Sequence, residues 1–576
     1  MVPPSSFEDM LREDDAEVRP RDPHGGGSRG TEGGFVSRGD LAAVGLSVLI
    51  AVAACGFAAQ TRLWDRDETR YARATVEMIE SGNYLVPTFN GAPRLHKPPM
   101  IYWLMSLPVR FSGPAEWAFR FFSCIALGGT CWLTYRIGRR LLSAKAGLWS
   151  MGVLGSSTMM IFVGTAATTD SVLIFLSTAQ MALFLRIWLD GCRIHDVLML
   201  GSAMACGMLI KGPAGLVPVA IMAGIMVLDI GARRSIIGVG CALGIGVACF
   251  LAWAIPANRA TDGAFVSVGI GFHVIERVLR PLEGHGGGVL AFLFYYPVTI
   301  LVGFLPWSGL VPAGISALHT GRMGGDVFRR TVVCWAGIPI VLMACAQTKL
   351  PHYIAPVMPA VALLAGALIA HGHPSGLDTR ATRWRRMGMW VALAFALATG
   401  LTLLIAPRWL DVPGLALPSG IAGAVVLLGS AAVVRFRESP IDRLALGTMV
   451  CMALFIVTVA VGILPALDAI RFGPPLGTAL RALAGDGVPV ASIGPHEPSV
   501  YLYAGRRIEA LESANAVKRW VRDHPGGLLI TTREMKDIDE RVAGPLPADV
   551  ISSQRGFNFV SGKWVEGLIL RVRPVR

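Results

Sequence analysis

The chain has 576 residues, 53% of them hydrophobic and only 16% charged, with a mean hydropathy of +0.55. A soluble globular chain is about 25% charged, so this composition excludes one large water-soluble enzyme, and its apolar content excludes a disordered chain. The ten cysteines show no CxxC spacing and all but Cys192 lie in apolar stretches, which excludes a disulfide scaffold. What remains is a polytopic α-helical membrane protein.

Residues 1–38 are rich in Gly, Pro and charge, lack the apolar core of a signal peptide, and are expected to form a disordered cytoplasmic tail. Crossing the hydrocarbon core takes about 20 apolar residues as helix. Runs of that kind lie at 41–61, 117–138, 146–165, 170–189, 196–210, 213–230, 235–256, 289–312, 331–347, 352–370, 387–406, 417–434 and 444–466. They predict about 13 transmembrane helices within 39–466. The stretch 98–112 is rejected as a span, being short and opening with Pro98 and Pro99. Every second loop is then basic, for example Arg136, Arg139, Arg140 and Lys145, then Arg233 and Arg234, then Arg380, Arg383, Arg385 and Arg386. That is the positive-inside pattern, so the N-terminus is expected in the cytoplasm of a bacterial inner membrane and the C-terminus outside. The net charge of +13 then reflects topology and contact with anionic membrane lipids; no nucleic-acid partner is expected.

Three segments fall outside: an outer loop from 62 to 116, a second outer loop at 257–288, and the tail 467–576. In the tail, apolar strands (488–493, 528–531, 565–572) alternate with helical stretches (498–504, 514–523), which predicts a periplasmic α/β domain. The first outer loop contains Trp64-Asp65-Arg66-Asp67-Glu68-Thr69-Arg70-Tyr71-Ala72. Asp65 is expected to cap a helix whose first turn holds Asp67 and Glu68. Helical spacing puts Asp67, Arg70, Ala74 and Glu77 on one face and Ala72, Val76 and Ile79 on another, predicting a surface helix with its apolar side toward the bilayer. Farther on, Arg94 and Lys97 stand at the entrance to the apolar stretch Tyr102-Trp103-Leu104, where the phosphate of a lipid-anchored substrate would sit. Ionisable residues at span ends are costly to keep and point to function. Asp170, Lys211, and the turn Lys349-Leu350-Pro351-His352-Tyr353 all fall on the same side as Asp67 and Arg70, so a common extracytoplasmic site is expected.

These strings resemble the aminoarabinose–lipid A transferase family of C-type membrane glycosyltransferases, related more distantly to protein O-mannosyltransferases. The resemblance covers about 40–372 and rests on Asp67-Glu68-Thr69-Arg70-Tyr71-Ala72, Ser81-Gly82-Asn83-Tyr84-Leu85-Val86-Pro87, His96-Lys97-Pro98-Pro99, Lys211-Gly212-Pro213, Pro306-Trp307 and Lys349-Leu350-Pro351-His352-Tyr353. It implies transfer of a sugar from a polyprenyl phosphate to a lipid, glycan or protein acceptor on the periplasmic face, as in lipid A modification and cell envelope glycosylation. It also implies Asp67 as the essential carboxylate and Arg70, Lys97 and Lys211 on the donor phosphate. Tyr353 would stand beside them, and Asp170, Lys349, His352 and Arg94 would line the cavity. Where the family has Tyr-Phe-Glu-Lys, this chain has Arg94-Leu95-His96-Lys97, and the family's second-loop histidine is shifted to His273. The implied metal ligands would therefore be His96 with His273 or His285, and no cofactor is required by the chemistry.

A sugar on a lipid phosphate is already activated once the phosphate charge is held, which arginine and lysine do electrostatically. An acceptor hydroxyl then needs a base; Asp67 is the candidate, with Glu68 and Asp170 in reserve, and a single displacement inverts the sugar carbon. A monomer is expected. Two other readings fit a polytopic chain: a transporter or flippase of a polyprenyl-phosphate-linked lipid, which should place its charges at the bilayer midplane, and a non-catalytic scaffold.

Overall fold

The structure is a computed structural model and describes residues 38–276, 289–321, 323–371, 379–410, 412–485, 487–494, 497–536 and 546–573. The tail 1–37 and His285 lie outside the described residues, as does the side chain of His273.

The chain leaves the tail as α1 (Arg38–Ala58), which has no charge beyond Asp40. Then come α2 (Asp67–Ser81), α3 (Met100–Ser112), α4 (Glu116–Leu141), α5 (Asp170–Asp190), α6 (Ile194–Lys211) and α7 (Val217–Leu228). Among the described residues, nine helical runs are long and apolar enough to cross a membrane, or up to eleven if two bent pairs each count as one span. The bends, 66° after Gly155 and 118° after Gly303, interrupt runs that the sequence presents as continuous. Burial ranks the spans. The runs Pro351–Ala370 and α5 are 83% and 72% buried and form the centre, whereas Thr379–Leu410 is 6% buried and turns its apolar side chains outward, as a lipid-facing helix does.

The run Ile194–Leu228 reverses at Gly212, whose φ is +59°. An ideal Cβ on Gly215 would stand 2.1 Å from the carbonyl carbon of Gly207. In a straight helix residues eight apart are separated by about 12 Å, so α6 and the turn after it pack backbone on backbone, and this places Lys211 at the tip. The expected second outer loop begins later than 257, because helix Ile236–Ala260 runs on past that point; a π-helix then follows over Phe265–Glu276.

After a final apolar run ending at Ala469, the chain forms α8 (Gly473–Leu483), β1 (Val490–Ile493), α9 (Pro498–Ala504), β2 (Glu509–Leu511), α10 (Ala514–Asp523), β3 (Leu528–Thr532), β4 (Ala548–Asn558) and β5 (Lys563–Val572). The five strands make one sheet in the order β2-β1-β3-β5-β4, with the first three parallel and β5 antiparallel to both neighbours. β1 and β3 are buried throughout, so both read as unbroken apolar runs. Strands β2 and β4 escape the sequence reading. β2 is three residues with two exposed, and β4 carries polar residues at most outward positions.

Candidate active site on the outer loop

Helix α2 does not lie on the bilayer surface as its spacing suggests. It is wedged between α3 and α9, and Ala74 and Glu77, expected beside Asp67 on an open face, are buried. Glu77 forms an ion pair with Arg73 at 2.9 Å and accepts from Thr88 Oγ1 (2.8 Å) and the amides of Asn90 (2.7 Å) and Gly91 (3.1 Å). It thereby fixes the small hairpin 88–93 on α2. Asp65 does not cap α2 either, whose N-cap is Arg66. Its Oδ1 instead accepts from Thr69 Oγ1 (3.0 Å) and from the amide of Ser499 (2.8 Å) at the start of α9. The cap it makes is on another helix, a partner that local sequence cannot show.

Glu68, read as a reserve base, has no free oxygen. It accepts from Arg120 Nε (2.8 Å) and Nη2 (2.6 Å), from the amide of Trp64 (2.7 Å) and from the amide of Ala167 (2.6 Å). Arg120 donates onward to the carbonyls of Ala58, Thr61 and Arg62. Burial opposes the charge on Glu68, but Arg120 and the two amides outweigh it and hold the carboxyl below the usual range. The pair joins α1, the loop 61–66, α2, α4 and the turn before α5. Sequence reasoning passed over Arg120, although an arginine inside the apolar run 117–138 is itself the signal.

Around this frame Asp67, Arg94, Lys97, Asp170, Lys211, His352 and Tyr353 gather at one mouth, whereas the charge of Arg70 acts on Glu497 in the sheet unit. Lys211 Nζ lies 2.5 Å from Asp170 Oδ1 and 5.0 Å from the centre of the Tyr353 ring. Thr168 Oγ1 donates to the other Asp170 oxygen at 3.2 Å. His352 stands edge-on to Tyr353 and feels the charges of Asp170, Lys211, Asp67 and Lys97. Asp67 itself is exposed, and its charge acts on Tyr71, Arg94 and Tyr102 as well. Arg94 is buried, with Nε donating to Tyr102 Oη at 3.0 Å and its guanidinium 5.3 Å from the Tyr71 ring. Burial pushes the Tyr71 phenol well above its usual range, so it remains a neutral donor. The motif residue Asn83 closes a turn by accepting from the amides of Leu85 and Val86, and Trp103 and Trp253 donate to the Tyr84 and Leu85 carbonyls.

Lys349 and His96 are the remaining predicted residues. Lys349 Nζ donates to the carbonyls of Met343, Ala344 and Ala346 at 2.6–2.7 Å, capping the end of helix Asp326–Cys345. His96 is exposed, and among the described residues no three His, Cys, Asp or Glu side chains converge on a metal position. No step is therefore assigned to a metal.

The sheet unit grips the same loop. Arg471 donates to the carbonyls of Arg62 (3.1 Å) and Leu63 (2.5 Å), pairs with Asp468 at 2.9 Å and stacks over Trp64 at 4.6 Å. Tyr503 Oη accepts from the Leu63 amide and donates to Glu116. Asn90, at φ +55°, exchanges two hydrogen bonds with the backbone of Ile508 at 2.8 and 2.9 Å. Asn90→Ala should cost about 1–3 kcal/mol, from both bonds and a backbone angle that alanine resists, and should lower the unfolding midpoint of the purified protein.

Residues 96–257 match the dolichyl-phosphate-mannose-protein mannosyltransferase family. The undecaprenyl phosphate-alpha-4-amino-4-deoxy-L-arabinose arabinosyl transferase of Edwardsiella ictaluri is 30% identical over 318 residues, 53% of this chain and 55% of that protein. The corresponding transferase 1 of Sodalis glossinidius is 29% identical over 352 residues, 60% of this chain and 61% of the relative. This chain is related to these transferases. The match spans little more than half the length of each relative. The crystal structure of ArnT from Cupriavidus metallidurans bound to undecaprenyl phosphate superposes with a TM-score of 0.73, covering 91% of this chain and 97% of that one at 18% identity. The apo form of the same protein gives 0.72. That likeness shows a shared helical membrane fold.

Proposed function

We propose that this protein is a membrane glycosyltransferase that moves a sugar from a polyprenyl-phosphate donor to a lipid, glycan or protein acceptor. The observation that carries the reading is the mouth itself: an exposed carboxylate, Asp67, whose charge reaches Arg94 and, together with those of Lys97 and Lys211, His352. Kinship with undecaprenyl-phosphate aminoarabinose transferases supports undecaprenyl phosphate as the carrier. Lys211, Lys97 and Arg70 hold the donor phosphate and stabilise it as it leaves. Asp170 orients Lys211 from 2.5 Å, a role that replaces reserve base. Asp67 takes the proton of an acceptor hydroxyl, or orients an acceptor that arrives as a phosphate, and the displacement inverts the sugar carbon. Glu68 is structural.

The topology fits the same reading. Splitting the run at Gly212, counting both bent pairs and admitting α4 gives about thirteen crossings, with the mouth and the α/β domain 467–576 on the periplasmic side of the inner membrane and residues 1–38 in the cytoplasm. Removing one cationic contact to a phosphate weakens binding by about 1.5–3 kcal/mol, or roughly 10- to 100-fold. Lys211→Ala should therefore raise the dissociation constant for undecaprenyl phosphate by that factor, measured by titration in detergent. Unchanged affinity would remove Lys211 from the phosphate site.

A further inference from the structure

The hairpin joining β4 to β5 presents an apolar, basic tip at membrane level. Phe559, Val560 and Trp564 are 41%, 40% and 44% exposed, and Arg555 and Lys563 flank them in the open. The tip is not a loose loop. Asn558 Oδ1 accepts from the amides of Val560 (2.9 Å) and Ser561 (3.1 Å), its Nδ2 donates to buried Glu497 (2.9 Å), and Phe559 meets Trp64 edge-on with centroids 5.4 Å apart. Phe557 and Trp564 continue the aromatic row, and Arg555 sits 5.4 Å over the Trp564 ring.

Two connections fix its depth. The amide of Phe557 donates to the carbonyl of Ile470 at 2.6 Å, and Ile470 follows directly on a membrane span that ends at Ala469. Trp64, which touches Phe559, is six residues beyond the end of α1 at Ala58. The tip therefore stands where the spans emerge, at the height of the headgroups. Rigid aromatic side chains with a polar edge, backed by arginine and lysine, suit that layer: the rings take the acyl boundary and the cations take lipid phosphate.

We propose that this tip is an interfacial anchor that seats the sheet unit on the membrane, with Phe559, Val560 and Trp564 at the acyl boundary and Arg555 and Lys563 on anionic phospholipid headgroups. This holds whatever reaction the protein performs, because it rests on the spans and the hairpin alone.

The test is photocrosslinking of the full chain in nanodiscs of phosphatidylethanolamine and phosphatidylglycerol, with p-benzoylphenylalanine placed at 559 or at 564. Lys518, exposed on α10 beside the opposite edge of the sheet, is the comparison position. The expected result is a mass increment of one phospholipid at both tip positions, at least tenfold more abundant than at 518. The double variant Val560→Asp, Lys563→Asp, whose side chains are exposed and stand outside the ring contacts with Trp64, should keep the wild-type unfolding midpoint and lose the adduct at 564. Lipid adducts no more frequent at the tip than at 518, or tip adducts unchanged by the double aspartate variant, would overturn the proposal.

Discussion

Replacing Asp67 by Asn is expected to lower sugar transfer by about 10²- to 10⁴-fold while leaving the affinity for undecaprenyl phosphate within a few-fold of wild type. The substitution keeps the shape of the side chain and removes only its charge and its capacity to take a proton. Asp67 is exposed on the first turn of α2 and no other residue of that turn can replace it. Glu68 is spent on Arg120 and two amides, and Asp170 is held by Lys211 and Thr168. Stability should not change, because an exposed carboxylate carries little of it. Single-turnover transfer and titration with donor lipid on the same preparation separate the two effects. Residual activity above about a tenth of wild type would mean that another group takes the proton.

The second large effect is on folding. Arg120→Ala is expected to cost about 3–5 kcal/mol, because it leaves the buried Glu68 carboxylate with no counter-charge and three carbonyls without their donor. Arg120 is 2% exposed and Glu68 5%, so water cannot take over either role. Chemical unfolding in detergent measures the loss. The pH dependence has a definite sign. The Glu68 carboxyl is held below the usual glutamate range in the folded protein, so its contribution is complete above about pH 4.3 and fades as the pH falls through the lowered value. Wild type should lose stability over that acidic window, and a Glu68→Gln variant, already weakened at neutral pH, should lose less. An Arg120→Ala protein with a wild-type midpoint would show the pair to be unimportant.

Most of the architecture was legible because the bilayer imposes simple rules on composition and length. The sequence runs coincide with helices, although among the described residues nine to eleven of them qualify as spans where thirteen were expected, and Asp67, Asp170, Lys211, His352 and Tyr353 come together while Arg70, expected with them, acts on Glu497. The failures share a cause. Spacing along α2 assumes one buried face, but this helix is covered on two sides by groups far away in sequence, so Ala74 and Glu77 are buried against expectation. Asp65 caps α9, more than four hundred residues away, and Lys349 donates to the carbonyls at the end of the helix before it. Arg471 gave no sign in the sequence that it would clamp the loop preceding Asp67, since its partners there are backbone carbonyls that any sequence carries.

The central claim is that the outward cluster performs transfer rather than transport, and one measurement addresses it most directly. Purified protein in nanodiscs would be given radiolabelled undecaprenyl-phosphate aminoarabinose and other polyprenyl-phosphate sugars, with lipid A and native membrane lipids as acceptors, beside the Asp67→Asn variant. The account predicts label on an acceptor with wild type and its loss in the variant, with donor still bound. Donor bound by both proteins with no label transferred, together with movement of the donor lipid across proteoliposome membranes, would contradict it and identify a flippase instead.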